Sequence, residues 1–152
     1  MVVIGCGNLE RGDDGAGILV AQRLRELGVG ARVHTGEPLG LIDLWEYTNE
    51  LILVDAAVTG APAGTIHAWD GRRSLLVDKS PLSTHGLGVA EVIELARSLN
   101  RLPSRLQGYA IEGRCFDLGT RASGEIQGAV EEVVRRIFAR IAHQAQPTHE
   151  GP

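Results

Sequence analysis

The chain has 152 residues, 43% of them apolar, and carries 15 Lys and Arg against 19 Asp and Glu, for a net charge of −4. That length suits one domain, and the composition excludes wholesale disorder. A mildly acidic chain lacks the basic surface that phosphate-backbone binding needs, and no apolar run approaches the ~20 residues of a bilayer span, so neither nucleic acid nor membrane is an expected partner.

Met1–Gly5 is a short apolar run that suits a strand buried on both faces, and it lacks the basic residues that open a signal peptide. A helix is expected over Asp13–Leu27, with Asp13 or Asp14 where an N-cap or first-turn acid belongs, an N-cap being the plain structural role for Asp13, and Gly28 at its stop; Val20, Leu24 and Leu27, widened by Ile18 and Ala21, form its apolar stripe. Ala31–Thr35 reads as a weak strand and Pro38–Tyr47 as a second helix. Leu51–Ala57 (LILVDAA) is the strongest strand, continuously apolar except for Asp55. Gly64–Trp69 alternates like a strand near an edge, with His67 on its surface, and Asp70–Ser83 reads as loop or broken helix. A third helix is expected over Gly86–Leu99, with Leu87, Ala90, Val92, Ile93 and Leu95 on its apolar face. Arg105–Glu112 is the last strand. Ser123–Ala145 is a long helix with Ile126, Val130, Val133, Ile137 and Ile141 on one side. Residues 1–145 thus form one domain, and 146–152 a flexible polar tail. Alternation of strands and helices predicts an α/β fold with a mostly parallel sheet and helices on both faces, which binds ligands beyond the carboxyl ends of its strands.

Three places in the sequence can carry chemistry there. The loop Gly5-Cys6-Gly7-Asn8-Leu9-Glu10-Arg11-Gly12-Asp13-Asp14-Gly15 invites a dinucleotide reading, but Glu10 stands where the third glycine of G-x-G-x-x-G belongs. Acids at Asp13 and Asp14 would repel a pyrophosphate and favour a cation. Asp55 is a lone carboxylate near the end of a buried strand, where an unpaired charge is expensive; it either caps the strand end or serves a site. His85 precedes a helix, whose positive end disfavours imidazolium and leaves the ring able to bind a metal. Two carboxylates and one imidazole suit a divalent transition metal with coordination positions left open. Cys6 reads as a small buried filler, Cys115 lacks an activating partner, and two cysteines make no disulfide framework. No G-x-S-x-G elbow is present.

Taken together, Gly5-Cys6-Gly7-Asn8 with Gly12-Asp13-Asp14-Gly15-Ala16-Gly17, Leu53-Val54-Asp55-Ala56, and Thr84-His85-Gly86-Leu87-Gly88 resemble the motifs of the hydrogenase maturation endopeptidases. Order and approximate spacing agree from Met1 to about Gly113. The resemblance implies a three-layer α/β/α sandwich around a twisted sheet of about five strands. It implies an endopeptidase that trims the C-terminal extension of a nickel-iron hydrogenase large-subunit precursor. Nickel would arrive in that precursor, with Asp14, Asp55 and His85 as its ligands and as the catalytic set. The expected protein is cytoplasmic and monomeric. One segment departs from the family pattern: where relatives have an Asp-Gly-Gly-Thr-like stretch, this chain has His34-Thr35-Gly36-Glu37-Pro38, so that Glu37 stands in for the lost acid or His34 adds a ligand. The competing readings are a nickel-independent hydrolase on the same fold, a metal-binding accessory protein that delivers or inspects nickel without cutting, and a dinucleotide-binding module.

Overall fold

The computed structural model describes residues 1–71 and 88–145. His85, most of the expected loop over 70–83, the expected helix start at Gly86 and the tail 146–152 lie outside the described residues.

In chain order the elements are β1 (Val2–Cys6), α1 (Ala16–Glu26), β2 (Ala31–His34), α2 (Leu41–Trp45), β3 (Glu50–Ala57), β4 (Ile66–Asp70), α3 (Val89–Ser98), β5 (Arg105–Glu112) and α4 (Gly124–Gln144). The strands form one sheet in the order β2-β1-β3-β5-β4. Pairs among the first four are parallel, whereas β4 runs antiparallel to β5. The direction of β4 follows from chain length. Parallel neighbours need a crossover of about a dozen residues or more, and residues 58–65 are too few for a helix, so the chain leaves β3 and turns back.

The expected helices are shorter than their apolar patterns. Asp13 and Asp14 lie in a 3-10 turn, Gly12–Gly15, that precedes α1. A second 3-10 turn, Pro38–Gly40, takes the first part of the expected second helix, where the proline ring fits a tight first turn.

Alternation along β3 sorts the core into two layers. Ile52 and Val54 join Ala16, Val20, Leu24, Ile126, Val133 and Ile137 under α1 and α4. Leu51, Leu53 and Ala57 join Leu41, Trp45, Val92 and Ile93 under α2 and α3. The result is the expected helix–sheet–helix sandwich, with the sheet covered on both faces. The stripes differ in detail: Leu27 and Leu95 sit at the stripe edges and are 44% and 39% exposed.

Close approach of α1 to the sheet depends on Gly17. A Cβ there would lie 2.3 Å from the Val54 carbonyl oxygen and 2.5 Å from that of Cys6, both backbone atoms that cannot swing aside. Gly17→Ala is therefore expected to lose ~1–3 kcal/mol of stability, read as a lower urea midpoint with an unchanged slope. An unchanged midpoint would mean that α1 shifts without cost.

Candidate active site

Strand order reverses direction at β1, with β2 on one side and β3 on the other. In open parallel sheets this reversal leaves a crevice beyond the carboxyl ends of the strands. Here the crevice is a cleft of about 400 Å³, and its lining includes Asp14, Asp55, Cys6, Arg11 and His34. Asp14 is delivered by the 3-10 turn after β1, Asp55 by the end of β3, and His34 by the end of β2. The structure thus brings the two predicted carboxylates into one cleft. Among the described residues, no three His, Cys, Asp or Glu side chains gather into a group that could hold a metal ion.

The loop that carries Asp14 is tied down on all sides. The Gly7 N–H donates to the His34 carbonyl (3.2 Å), and the Asn8 N–H donates to the Asp14 carbonyl (3.1 Å). Asn8 Oδ1 accepts the Glu10 N–H at 2.9 Å, an Asx turn. Gly7 has φ +139°, and a Cβ on it would lie 2.0 Å from the Asp14 carbonyl oxygen, so a side chain at this position would push the turn out of place.

Asp13 and Asp14 are neighbours in sequence with separate roles. The expected N-cap role of Asp13 is corrected: its side chain makes no bond to its own helix. Instead Oδ2 accepts the N–H groups of Arg114 (2.8 Å) and Cys115 (3.0 Å), and Oδ1 accepts the N–H (2.8 Å) and hydroxyl (3.1 Å) of Ser123. Asp13 is wholly buried. Burial alone would raise its pKa, but the Cys115, Arg114 and Ser123 donors outweigh it and hold the carboxyl below its usual value. The residue joins the first loop to the segment that enters α4, turning Asp14 toward the cleft.

Asp55 is 8% exposed, and its Oδ1 accepts the Ala56 N–H at 2.8 Å. The bond is to the next residue within β3, not to a loop amide beyond the strand end. Burial pushes its pKa up to about 8; the Ala56 bond pulls the other way, and the negative charge of Asp14 adds to the rise. Asp55 is thus mostly protonated at neutral pH when no cation is near. Cys6 lies beside it, buried as expected, and also lines the cleft. Burial raises its thiol pKa well above the usual value, and Asp55 and Asp14 raise it further, so it stays a thiol and not a nucleophilic thiolate.

Sequence reading missed one group, the pair of Glu112 and His67. Glu112, at the end of β5, is 1% exposed. Its Oε1 accepts the Thr59 N–H (2.7 Å), the Thr59 hydroxyl (2.9 Å) and the Ala61 N–H (3.0 Å), and so pins the loop that follows β3. His67, expected on the surface, is instead half-buried, with Nε2 3.5 Å from Glu112 Oε2. Burial opposes the charge on Glu112, but the Thr59 and Ala61 donors and His67 together keep its pKa below the ordinary value. His34, which the sequence offers as an added ligand, ends β2 at the cleft. It lines the cleft, and its Nε2 lies 2.8 Å from the Glu37 carbonyl oxygen. A histidine in a strand, His67, is the sequence signal that the Glu112 group offers.

Known proteins match both the sequence and this architecture. The sequence matches the hydrogenase maturation protease family (HycI) over residues 36–140. No curated protein sequence matches the chain. The hydrogenase maturating endopeptidase HybD from E. coli superposes with a TM-score of 0.77 at 19% identity, covering 95% of this chain and 93% of that one. The [NiFe] hydrogenase maturation protease HybD from Thermococcus kodakarensis gives 0.74 at 22% identity, over 91% and 97% of the two chains. The [NiFe] hydrogenase maturation protease HycI from Thermococcus kodakarensis KOD1 gives 0.69 at 26% identity, over 91% and 89%. With a family match across most of its length, and the same fold in these proteases, the chain belongs to the hydrogenase maturation protease family.

Proposed function

We propose that this protein is an endopeptidase that removes the C-terminal extension of a nickel-iron hydrogenase large-subunit precursor in the cytoplasm, and that it recognises nickel already held by that precursor. The observation that carries this reading is the pair of carboxylates, Asp14 and Asp55, in one cleft, with burial and mutual repulsion holding Asp55 neutral. Such a pair favours a cation: a divalent ion would make the ionised form of Asp55 favourable and draw off its proton. Asp14, Asp55 and His85 are the proposed ligands. His85 enters on its sequence motif alone.

In the proposed reaction the nickel of the substrate orients the scissile peptide and polarises its carbonyl oxygen. A water molecule attacks the carbonyl carbon, one cleft carboxylate takes its proton, and the C–N bond breaks with that proton delivered to the leaving amine. The products are the shortened large subunit and a free C-terminal peptide.

The test is the intact mass of a nickel-loaded precursor before and after incubation, with nickel-free precursor and Asp55→Ala as controls. Loss of a C-terminal peptide is expected only with nickel and the unaltered protein. No mass change with the host's own precursors would sink the peptidase reading and leave a metal-binding accessory protein. Cleavage of nickel-free precursor would keep the peptidase and discard recognition through nickel.

A further inference from the structure

We propose that His34 is a substrate-binding residue of this cleft, using Nδ1 to accept a main-chain N–H of the peptide to be cut. The proposal rests on the peptidase reading above. Nε2 lies 2.8 Å from the Glu37 carbonyl oxygen. A carbonyl can only accept, so the proton of the neutral ring sits on Nε2, and Nδ1 is left with a bare lone pair. Among the described residues, Nδ1 has no hydrogen-bond partner.

The ring is also held in place. His34 ends β2, and its carbonyl accepts the Gly7 N–H at 3.2 Å, which joins it to the loop that carries Asp14. Its Cε1 edge packs over Gly40, where a Cβ would lie 3.1 Å away. A pinned ring loses little freedom on binding, so its hydrogen bond is worth more than that of a loose surface histidine. His34, Asp14 and Asp55 come from three different strand ends and all line the cleft. A peptide passing between them carries an N–H at nearly every residue. Direct metal ligation by His34 is a poorer fit, since the three side chains do not gather into a metal-binding group.

Two substitutions separate binding from local support. His34→Gln can still donate from its terminal amide to the Glu37 carbonyl, but places no acceptor at the δ position. His34→Asn places an oxygen near the Nδ1 position but does not reach Glu37. The affinity of each for nickel-loaded precursor is measured, together with KM, kcat and melting temperature.

The expected result for His34→Gln is an unchanged melting temperature, a Kd and KM raised roughly 3–10-fold, and an unchanged kcat. His34→Asn is expected to recover affinity to within about twofold of the unaltered protein, because the substrate N–H keeps an acceptor. Normal affinity in His34→Gln overturns the proposal, because the ring then only supports the Glu37 turn. Equal losses in both variants overturn it too, since the retained acceptor then counts for nothing. The ring nitrogen chemical shifts of His34 give a readout without turnover: a proton on Nδ1 rather than Nε2 overturns the proposal. If the unaltered protein binds precursor without shortening it, the peptidase reading fails while the affinity comparison still decides the role of His34. If it binds no precursor, both fail.

Discussion

Asp55→Asn is expected to fold, to lose the pH dependence of stability seen in the unaltered protein, and to cut precursor at least ~10²-fold more slowly. The amide keeps an oxygen to accept the Ala56 N–H, so the bond that orients the side chain survives. It removes the ionisable group. The folded-state pKa of Asp55, about 8, lies above the ordinary carboxyl value of 3.8. Between those values the folded protein holds a proton that the unfolded chain has released, so stability falls as pH rises. The contribution is full below the unfolded value and is lost as pH climbs through the folded one. From pH 6 to pH 8 the loss is about 2 kcal/mol for metal-free protein. Thermal melts at the two pH values should diverge for the unaltered protein and coincide for Asp55→Asn. Equal slopes in both would place the titrating group elsewhere.

Asp13→Ala is expected to cost ~3–5 kcal/mol, a larger stability loss than that of Gly17→Ala. It leaves the part-buried N–H groups of Arg114, Cys115 and Ser123 without their acceptor. Asp13→Asn keeps one accepting oxygen and should lose about half as much. The sign of the pH effect is opposite to that of Asp55. Because the folded-state pKa of Asp13 is depressed, its contribution is present above the unfolded value and disappears as pH falls through the folded one. Urea unfolding at neutral pH measures the loss directly. A midpoint shift as small as that of an exposed carboxylate would show that water satisfies the three amides. Below its melting temperature, Asp13→Ala should also cut slowly, because the turn that presents Asp14 is no longer tied to the far end of the chain.

The contrast between these neighbouring acids marks how far the sequence was legible. The parallel core of the sheet was readable because β1 and β3 are apolar runs that only a sheet covered on both faces can bury. Asp55 was readable because a charge inside such a run needs a reason. Asp13 was not, since a Gly-Asp-Asp-Gly turn before a helix looks like local capping, and its real partners lie 101 to 110 residues away. Glu112 looked like an ordinary strand end for the same reason: its Thr59 and Ala61 donors belong to a loop that becomes its neighbour only when β3 and β5 pair. His67 followed Glu112 inward. Trp45 and Tyr47, two residues apart, end as a core residue and a 98% exposed one, because α2 stops at Trp45. The carboxylate pair of the site was therefore visible from local pattern, while the contacts that aim it were not.

The long reach of Asp13 has a consequence for the life of the chain on the ribosome. The amides that stabilise its buried carboxylate belong to Arg114, Cys115 and Ser123, which are translated more than a hundred residues later. Until they emerge, the first loop has only its local ties and those to β2, and the cleft is unfinished however well β1 and β3 have paired. A nascent chain stopped before Ser123 would hold both cleft carboxylates without the tie that orients one of them. Completion of the cleft thus waits on residues that lie just before α4 and on the docking of that helix.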